Sequence, residues 1–274
     1  RRAAWYVGHQ KEEYQMTEIR GIYTLWLREV KRYLRDRARI VSSFVQPLLW
    51  LVIFGTGLRA FSINFGDNLT YQQYIFPGIM GQTLLFTSMF MGISVIWDRE
   101  FGFLKEILVA PVSHLSVFLG KMFGDSTDAV IQGIIVFVLG ILLGIKLNPM
   151  IFLEALPVMI LITFGLVGVG LTVASFIESL ESFGVIQSFI NLPLFFLSGA
   201  VFPISTTGPA AAPTWLQIAS KLDPLTYGVN ALRTIVLGDE WLPAHPPLYF
   251  NLLLVCVFDV VMMTIGTLAF SRRK

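Results

Sequence analysis

Long apolar stretches broken by short charged ones set the pattern of this chain. Between Arg39 and Arg59 no charge occurs. That run makes about 28 Å of helix at about 1.5 Å per residue, close to the hydrocarbon thickness of a bilayer. It predicts a first membrane span, with Pro47 near its start, where a missing amide hydrogen costs least. A second charge-free run predicts a span over 74–96, with Pro77 in its first turn. Further spans are predicted over about 122–145, with Asp125 and Asp128 in a solvated first turn, and between Glu154 and Glu178. Two more run from Glu181 to about Val201 and over about 248–270, before the basic tail SRRK. The pattern predicts an all-α integral membrane protein with six transmembrane helices.

Three segments are amphipathic instead. Over 18–39, Ile19, Ile22, Tyr23, Trp26, Val30, Tyr33 and Leu34 recur at helical spacing, with Arg and Lys on the other face. This predicts an interface helix on the inner membrane surface, the alternative being a helix packed on a partner. Over 214–237, Asp223 before Pro224 is a helix start, with the carboxylate as N-cap and proline at the first helical position. Leu225, Val229, Leu232 and Val236 then share a face, so a helical pair is expected outside, before the last span. Between spans two and three, residues 97–121 are too charged to span and too apolar for a free loop. Phe101, Phe103, Leu104, Ile107 and Leu108 fall near helical spacing, and Pro111 ends the run. Asp98, Arg99, Glu100, Lys105 and Glu106 suit the surface of a soluble protein. The segment reads as a lever between two spans.

Charge decides orientation. Of the 20 basic residues, 16 fall in 1–39, 97–121 and 272–274, and only Arg59, Lys146, Lys221 and Arg233 fall in the opposite set. Positive loops face the cytoplasm, so both termini and the lever are expected there. The domain division is a cytoplasmic arm over 1–39 and a six-span region over 40–274, the lever occupying about 97–113. Composition agrees: 14% of the 274 residues are charged and 55% hydrophobic, whereas soluble domains carry about 25% charged residues. Mean hydropathy is +0.69. Residues 1–17 are polar, without the apolar core of a cleavable signal peptide.

Chemistry is sparse. Cys256 is the one cysteine, and His9, His114 and His245 stand apart, so neither an internal disulfide nor a metal site is expected. The chain lacks G-x-x-x-x-G-K-[ST] and H-E-x-x-H, which argues against an enzyme acting alone. Asp259 lies mid-span: an intramembrane acid marks a proton or substrate site, or faces the bundle within hydrogen-bond reach of a neighbour. Gln82, Gln187 and Asn191 are uncharged polar groups at mid-membrane, accompanied by Phe86, Phe90, Phe189, Phe195 and Phe196. They form either a cavity for a large, partly polar apolar molecule or hydrogen-bonded glue between helices. Gly140 with Gly144, and Gly165, Gly168 and Gly170, predict close helix packing, with a dimer seam as the alternative for the first pair.

Several stretches together resemble the permease subunits of ABC-2 type exporters, in the daunorubicin-resistance-like branch. They are FVQPLLWLVIFG after the arm, YIFPGIMGQ opening span two, and WDREFGFLKEILVAPVS followed by LGK. LPLFFLSGAVFPIS, then WLQ and DPLTYGVNALR, complete the set. Asp223 departs from the family, which more often has Asn there. The resemblance implies a half-transporter that pairs with a second copy and with two ATP-binding subunits, ATP and Mg being bound by those subunits and no cofactor by this chain. It implies that 97–113 is a coupling helix, with Arg99, Glu100, Phe101, Phe103, Leu104 and Glu106 as ATPase contacts. It also implies a connecting helix over 18–39 and a substrate path lined by spans two and five, where Gln82, Phe86, Phe90, Gln187, Asn191 and Phe195 stand. The cargo class is hydrophobic or amphiphilic: drug-like, lipid or glycolipid. No nucleic-acid partner is expected, and the setting is the cell's inner membrane. The alternatives are an ion-coupled secondary transporter using Asp259, a polysaccharide or lipo-oligosaccharide exporter, and a channel or scaffold.

Overall fold

Side-chain caps mark where several helices begin. Ser113, Asn148, Ser179 and Asp223 each turn an oxygen onto a first-turn amide, of Ser116, Ile151, Ser182 and Leu225 respectively. The computed structural model describes residues 2–57, 71–102, 112–202, 204, 212–238 and 246–271, with the side chains of 2–16, 43 and 54–57 outside the description. Ten helices and no strand occur among the described residues: α1 (Arg2–Arg35), α2 (Arg37–Gly57), α3 (Tyr71–Phe90), α4 (Ile93–Glu100) and α5 (His114–Leu142), then α6 (Pro149–Phe176), α7 (Leu180–Leu197), α8 (Thr214–Leu222), α9 (Pro224–Leu237) and α10 (Leu248–Ser271).

Among the described residues, five stretches are long and apolar enough to cross a membrane: Tyr71–Glu100, His114–Leu142, Pro149–Phe176, Leu180–Leu197 and Leu248–Ser271. The first of these is α3 and α4 taken together. The first predicted span falls on α2, whose 21 residues make about 31 Å at 1.5 Å per residue. α3 is the central rod: an 18-residue apolar stretch within Tyr71–Glu100 is 78% buried, against 17% for α7, which lies at the edge of the bundle.

Several boundaries differ from expectation, for a common reason. α5 starts at His114, eight residues before the predicted span, and runs for 29 residues, about 43 Å. That exceeds a hydrocarbon core of about 30 Å, so the helix is longer than a straight crossing needs. Likewise the second-span helix continues past Ile96, and residues 97–100 belong to its end, not to a separate lever. Pro47 sits well inside α2, because that helix begins at Arg37, with Asp36 accepting from the Arg39 amide at 3.1 Å.

α3 and α4 meet at a break over Met91 and Gly92. There the bonds shorten to three-residue spacing: Gly92 N–H to Met89 O at 3.3 Å and Val95 N–H to Gly92 O at 3.1 Å. The break is where α6 crosses. A Cβ on Gly92 would lie 2.3 Å from the Gly170 carbonyl oxygen, and one on Gly170 would lie 2.8 Å from that of Met89. Only glycine permits this approach. Gly165 and Gly168 pack on α10. Gly140 packs on Phe76, whereas Gly144 is a turn residue at φ +84° after α5, so the pair does not form one small-residue seam.

α1 lies along the start of α5, not free of the chain. Leu25, Glu29 and Tyr33 are buried, while Ile19, Tyr23 and Leu34 stay exposed. Trp26 Nε1–H donates to Thr127 Oγ1 at 3.0 Å, and Glu18 accepts from the Ser113 amide and hydroxyl at 2.9 and 2.8 Å. At the opposite end, α9 packs across α3, α6 and α10.

Candidate functional site

Two constellations stand out: a charged cluster at the Arg-rich end and an aromatic–polar cleft in the middle of the bundle. The first gathers Arg28, Glu29 and Arg32 from α1, Asp98 from α4, and Lys121 from α5. Glu29, Asp98 and Lys121 are buried. Lys121 Nζ lies 2.5 Å from Asp98 Oδ2 and 3.5 Å from Glu29 Oε1, and Arg28 completes the group with an ion pair to Asp98. Lys121 also donates to Ser94 Oγ at 3.3 Å. Arg32 lies over the Trp97 ring at 4.7 Å. Beside them Asp125 and Asp128 face a narrow space shared with Glu29, Arg32 and Arg39. The expectation that these two aspartates form a solvated first turn is overturned. Both are buried, because α1 covers the face of α5 that carries them. Asp98 likewise lies inside, not on a surface offered to a partner. Buried charges persist only when paired, so this cluster fixes α1, α4 and α5 as one unit.

The residues expected to meet an ATPase divide. Arg99 donates to the carbonyls of Ile177 and Ser175, at 2.9 and 3.4 Å, closing the end of α6. Glu100 and Phe101 are exposed, Phe101 at 82%. Phe103, Leu104 and Glu106 lie outside the described residues.

The second constellation centres on Phe195, which is buried. Its ring meets Trp50 of α2 edge-on at 5.9 Å and Phe86 of α3 at 6.2 Å. On α7, Phe183, Gln187, Asn191 and Phe195 recur every four residues and form the inward stripe. Gln187 and Asn191 thus share the face turned to the bundle. Phe189 and Phe196 point outward instead, at 76% and 54% exposure. Phe90 lies under the Arg39 guanidinium at 5.6 Å, near the charged end. Gln82 lines a cleft with Ser42, Gln46, Pro47, Trp50, Thr83, Phe86, Thr87 and Gln132. Gln132 interrupts an apolar run just as Gln82 does, so the sequence carried the signal for it. What the sequence hid was that α2, α3 and α5 bring these amides together.

Asp259 lies against the backbone of Gly165, where a Cβ would come within 2.2 Å of its Oδ1. It faces the bundle. At the far end Arg233 of α9 is buried, donating to the Gly199 and Ala200 carbonyls at 2.7 and 2.9 Å and stacking over Tyr74 at 4.1 Å. It holds the turn that follows α7. Asp223, which caps α9, is buried outside the spans, and desolvation pushes its carboxyl up to about 7 against the lowering pull of the Leu225 amide. Among the described residues no cluster of three metal-ligating side chains occurs.

The described helices form a bundle with five stretches long and apolar enough to cross a membrane, and its likeness to known proteins gives the class. The ABC-2 type transporter family matches residues 20–237, and the chain belongs to that family. It is 34% identical to the putative transport permease ycf38 of Cyanophora paradoxa over 82% of this chain and 77% of that one. Nodulation protein J of Rhizobium leguminosarum bv. viciae is 26% identical over 86% and 88% of the two chains. The inner membrane transport permease YadH of Escherichia coli K12 is 23% identical over 81% and 85%. The chain is thus a membrane permease of an ABC transporter, a class that works with an ATP-binding subunit.

Proposed function

We propose that this chain is the membrane half of an ATP-driven exporter for a hydrophobic or amphiphilic molecule. Two copies pair, and two ATP-binding subunits carrying ATP and Mg dock at the Arg-rich end, which faces the cytoplasm of a cell whose inner membrane holds the complex. In this reading α2 is the sixth span. The basic bias of the arm and of 97–121 supports the orientation. The exposed apolar faces of α2 (Val45, Leu49, Val52) and α7 (Val185, Phe189, Leu192) suit a second copy or lipid.

The observation that carries the reading is the clamp on the projecting end of the second-span helix. Asp98 ties α4 to Lys121 of α5 and Arg28 of α1, and Arg99 ties it to the end of α6. A push on Glu100, Phe101 and the following segment, with Phe103, Leu104 and Glu106, is therefore delivered to several helices at once. It moves α3 relative to α7, the two helices carrying Gln82, Phe86, Phe90, Gln187, Asn191 and Phe195. Nucleotide binding elsewhere then shifts the population between two arrangements of the path.

Co-purification of the native complex tests this directly. An ATP-binding subunit is expected to come with the chain, with ATPase activity stimulated by amphiphiles. Glu100→Arg, at an exposed site, is expected to abolish that stimulation while leaving the thermal unfolding of the chain unchanged. Stimulation that survives the substitution would contradict the assignment of this end as the coupling contact.

A further inference from the structure

The cleft between α2, α3 and α5 takes no part in the clamp. Its polar lining is Ser42, Gln46, Gln82, Thr83, Thr87 and Gln132: six uncharged side chains and no ionisable one. Trp50 and Phe86 supply its apolar wall. Gln82 is 3% exposed, and its Oε1 has no hydrogen-bond partner among the described residues. An amide oxygen buried in that way costs free energy unless a donor reaches it. Thr87 already spends its hydroxyl on Gln132 Oε1, at 2.6 Å. The cleft is small, about 40 Å³, room for a hydroxyl or a primary amide and not for a sugar. It opens onto an apolar strip of α2, with which it shares Ser42, Gln46 and Trp50; Val41, Val45 and Leu49 continue the strip.

We propose that this cleft binds the polar group of an amphiphile that is uncharged and carries a hydrogen-bond donor, a hydroxyl or an amide, with the apolar chain lying along Val41, Val45 and Leu49. The donor is directed at Gln82 Oε1. A charged group is disfavoured, because it would give up its hydration at mid-membrane with no counter-ion in the lining. Arg37, the cation on the same strip, is nine residues along the helix from Gln46, about 13 Å away at 1.5 Å per residue. Ser42, at the near end of the lining, is five residues or about 7 Å from Arg37, so the charge is out of reach for a group seated at Gln46. An ester or ketone, lacking a donor, leaves Gln82 as it was. The inference rests on the exporter reading for its biological meaning; Gln82 and Phe86 belong both to the cleft and to the proposed path.

The test is equilibrium binding of radiolabelled dodecanamide to the full chain in phosphatidylcholine nanodiscs, without nucleotide. Saturable binding is expected. Laurate and methyl laurate, with the same chain length but an anion or no donor, are expected to compete at least about tenfold more weakly than dodecanol. Gln82→Leu and Gln46→Leu are each expected to weaken binding by about threefold to tenfold, the scale of one neutral hydrogen bond, with Gln217→Leu on α8 unchanged. Gln46 is exposed, so its substitution reports on the site even where Gln82→Leu fails to fold. Equal competition by all three competitors would overturn the proposal, reducing the cleft to a non-selective apolar surface. So would unchanged affinity in Gln46→Leu together with either an unchanged or an unfolded Gln82→Leu, which would make the cleft a polar contact between helices. Because no nucleotide or partner is present, binding that persists while ATP-driven transport fails would reject the exporter reading and leave the site standing.

Discussion

Lys121 Nζ of α5 lies 2.5 Å from Asp98 Oδ2 of α4, and both side chains are buried. The pair joins two helices that leave the membrane at the same end, and Arg28 and Glu29 of the arm close around it. Removing Lys121 leaves Asp98 and Glu29 enclosed with only the partly exposed Arg28 and Arg32 as counter-charges. Lys121→Met is therefore expected to destabilise the chain by about 3–5 kcal/mol. Lys121→Met with Asp98→Leu is expected to recover part of that loss. Thermal unfolding of purified single and double variants measures both. A single variant as stable as the double one would show the pair to be unimportant.

The arm is docked through glycine. A Cβ on Gly124 would come within 2.6 Å of Glu29 Cβ, so Gly124→Val is expected to push α1 off α5. Cysteines at positions 26 and 127, replacing a hydrogen-bonded pair 3.0 Å apart, are expected to cross-link with a short bismaleimide. In the Gly124→Val background the yield should fall severalfold. An unchanged yield would mean that the arm adjusts without leaving.

Arg233 anchors the turn after α7. Hydrogen bonds from a charged donor are worth about 1.5–3 kcal/mol each, and Arg233 gives two, to Gly199 and Ala200. Arg233→Met is expected to free this turn, raising the rate at which an Ala200→Cys thiol reacts with a water-soluble maleimide about tenfold or more. Arg233→Lys is expected to rescue only partly, because an ammonium lacks the planar fork and the stacking on Tyr74.

Asp223 gives a pH dependence of defined sign. Its carboxyl titrates near 7 in the folded protein, raised by burial, against about 3.9 in an unfolded chain. Between those values the native state holds the proton that the unfolded state has released, so stability falls as pH rises through the window and levels off above it. Asp223→Asn keeps an oxygen on the Leu225 amide but does not titrate. The difference in unfolding temperature between the two proteins is expected to shift in favour of Asn from pH 4 to pH 7 and to stay constant beyond. A difference that does not change with pH would contradict the buried placement of the carboxyl.

Much of this fold was legible because bilayer-length apolar runs and caps are local signals. Asp223 before Pro224 announced α9, and the run between Glu154 and Glu178 announced α6 to within a turn or two at either end. The amphipathic spacing of the arm was equally plain, yet it did not reveal which stripe is buried. Ile19 and Tyr23 fit the pattern and remain exposed, whereas Glu29 lies inside. Charge was the misleading signal. Asp98, Asp125 and Asp128 look solvated when read alone, and only tertiary contact, with residues as far away in sequence as Arg28, encloses them. The candidate path was half visible. Gln82, Asn191 and Phe195 could be picked as mid-membrane groups, but their partners Trp50 and Gln132 come from other helices and no spacing rule joins them.

The central claim is that conformational work enters this bundle from a nucleotide-hydrolysing partner through the clamped end of the second-span helix. Uptake of labelled dodecanamide into inside-out vesicles containing the chain and its co-purified ATP-binding subunit tests it most directly. Accumulation is expected only with Mg-ATP, and is expected to vanish when the partner cannot hydrolyse nucleotide or when Glu100 is replaced by Arg. Accumulation without nucleotide, driven by a proton gradient and lost in Asp259→Asn, would contradict the account.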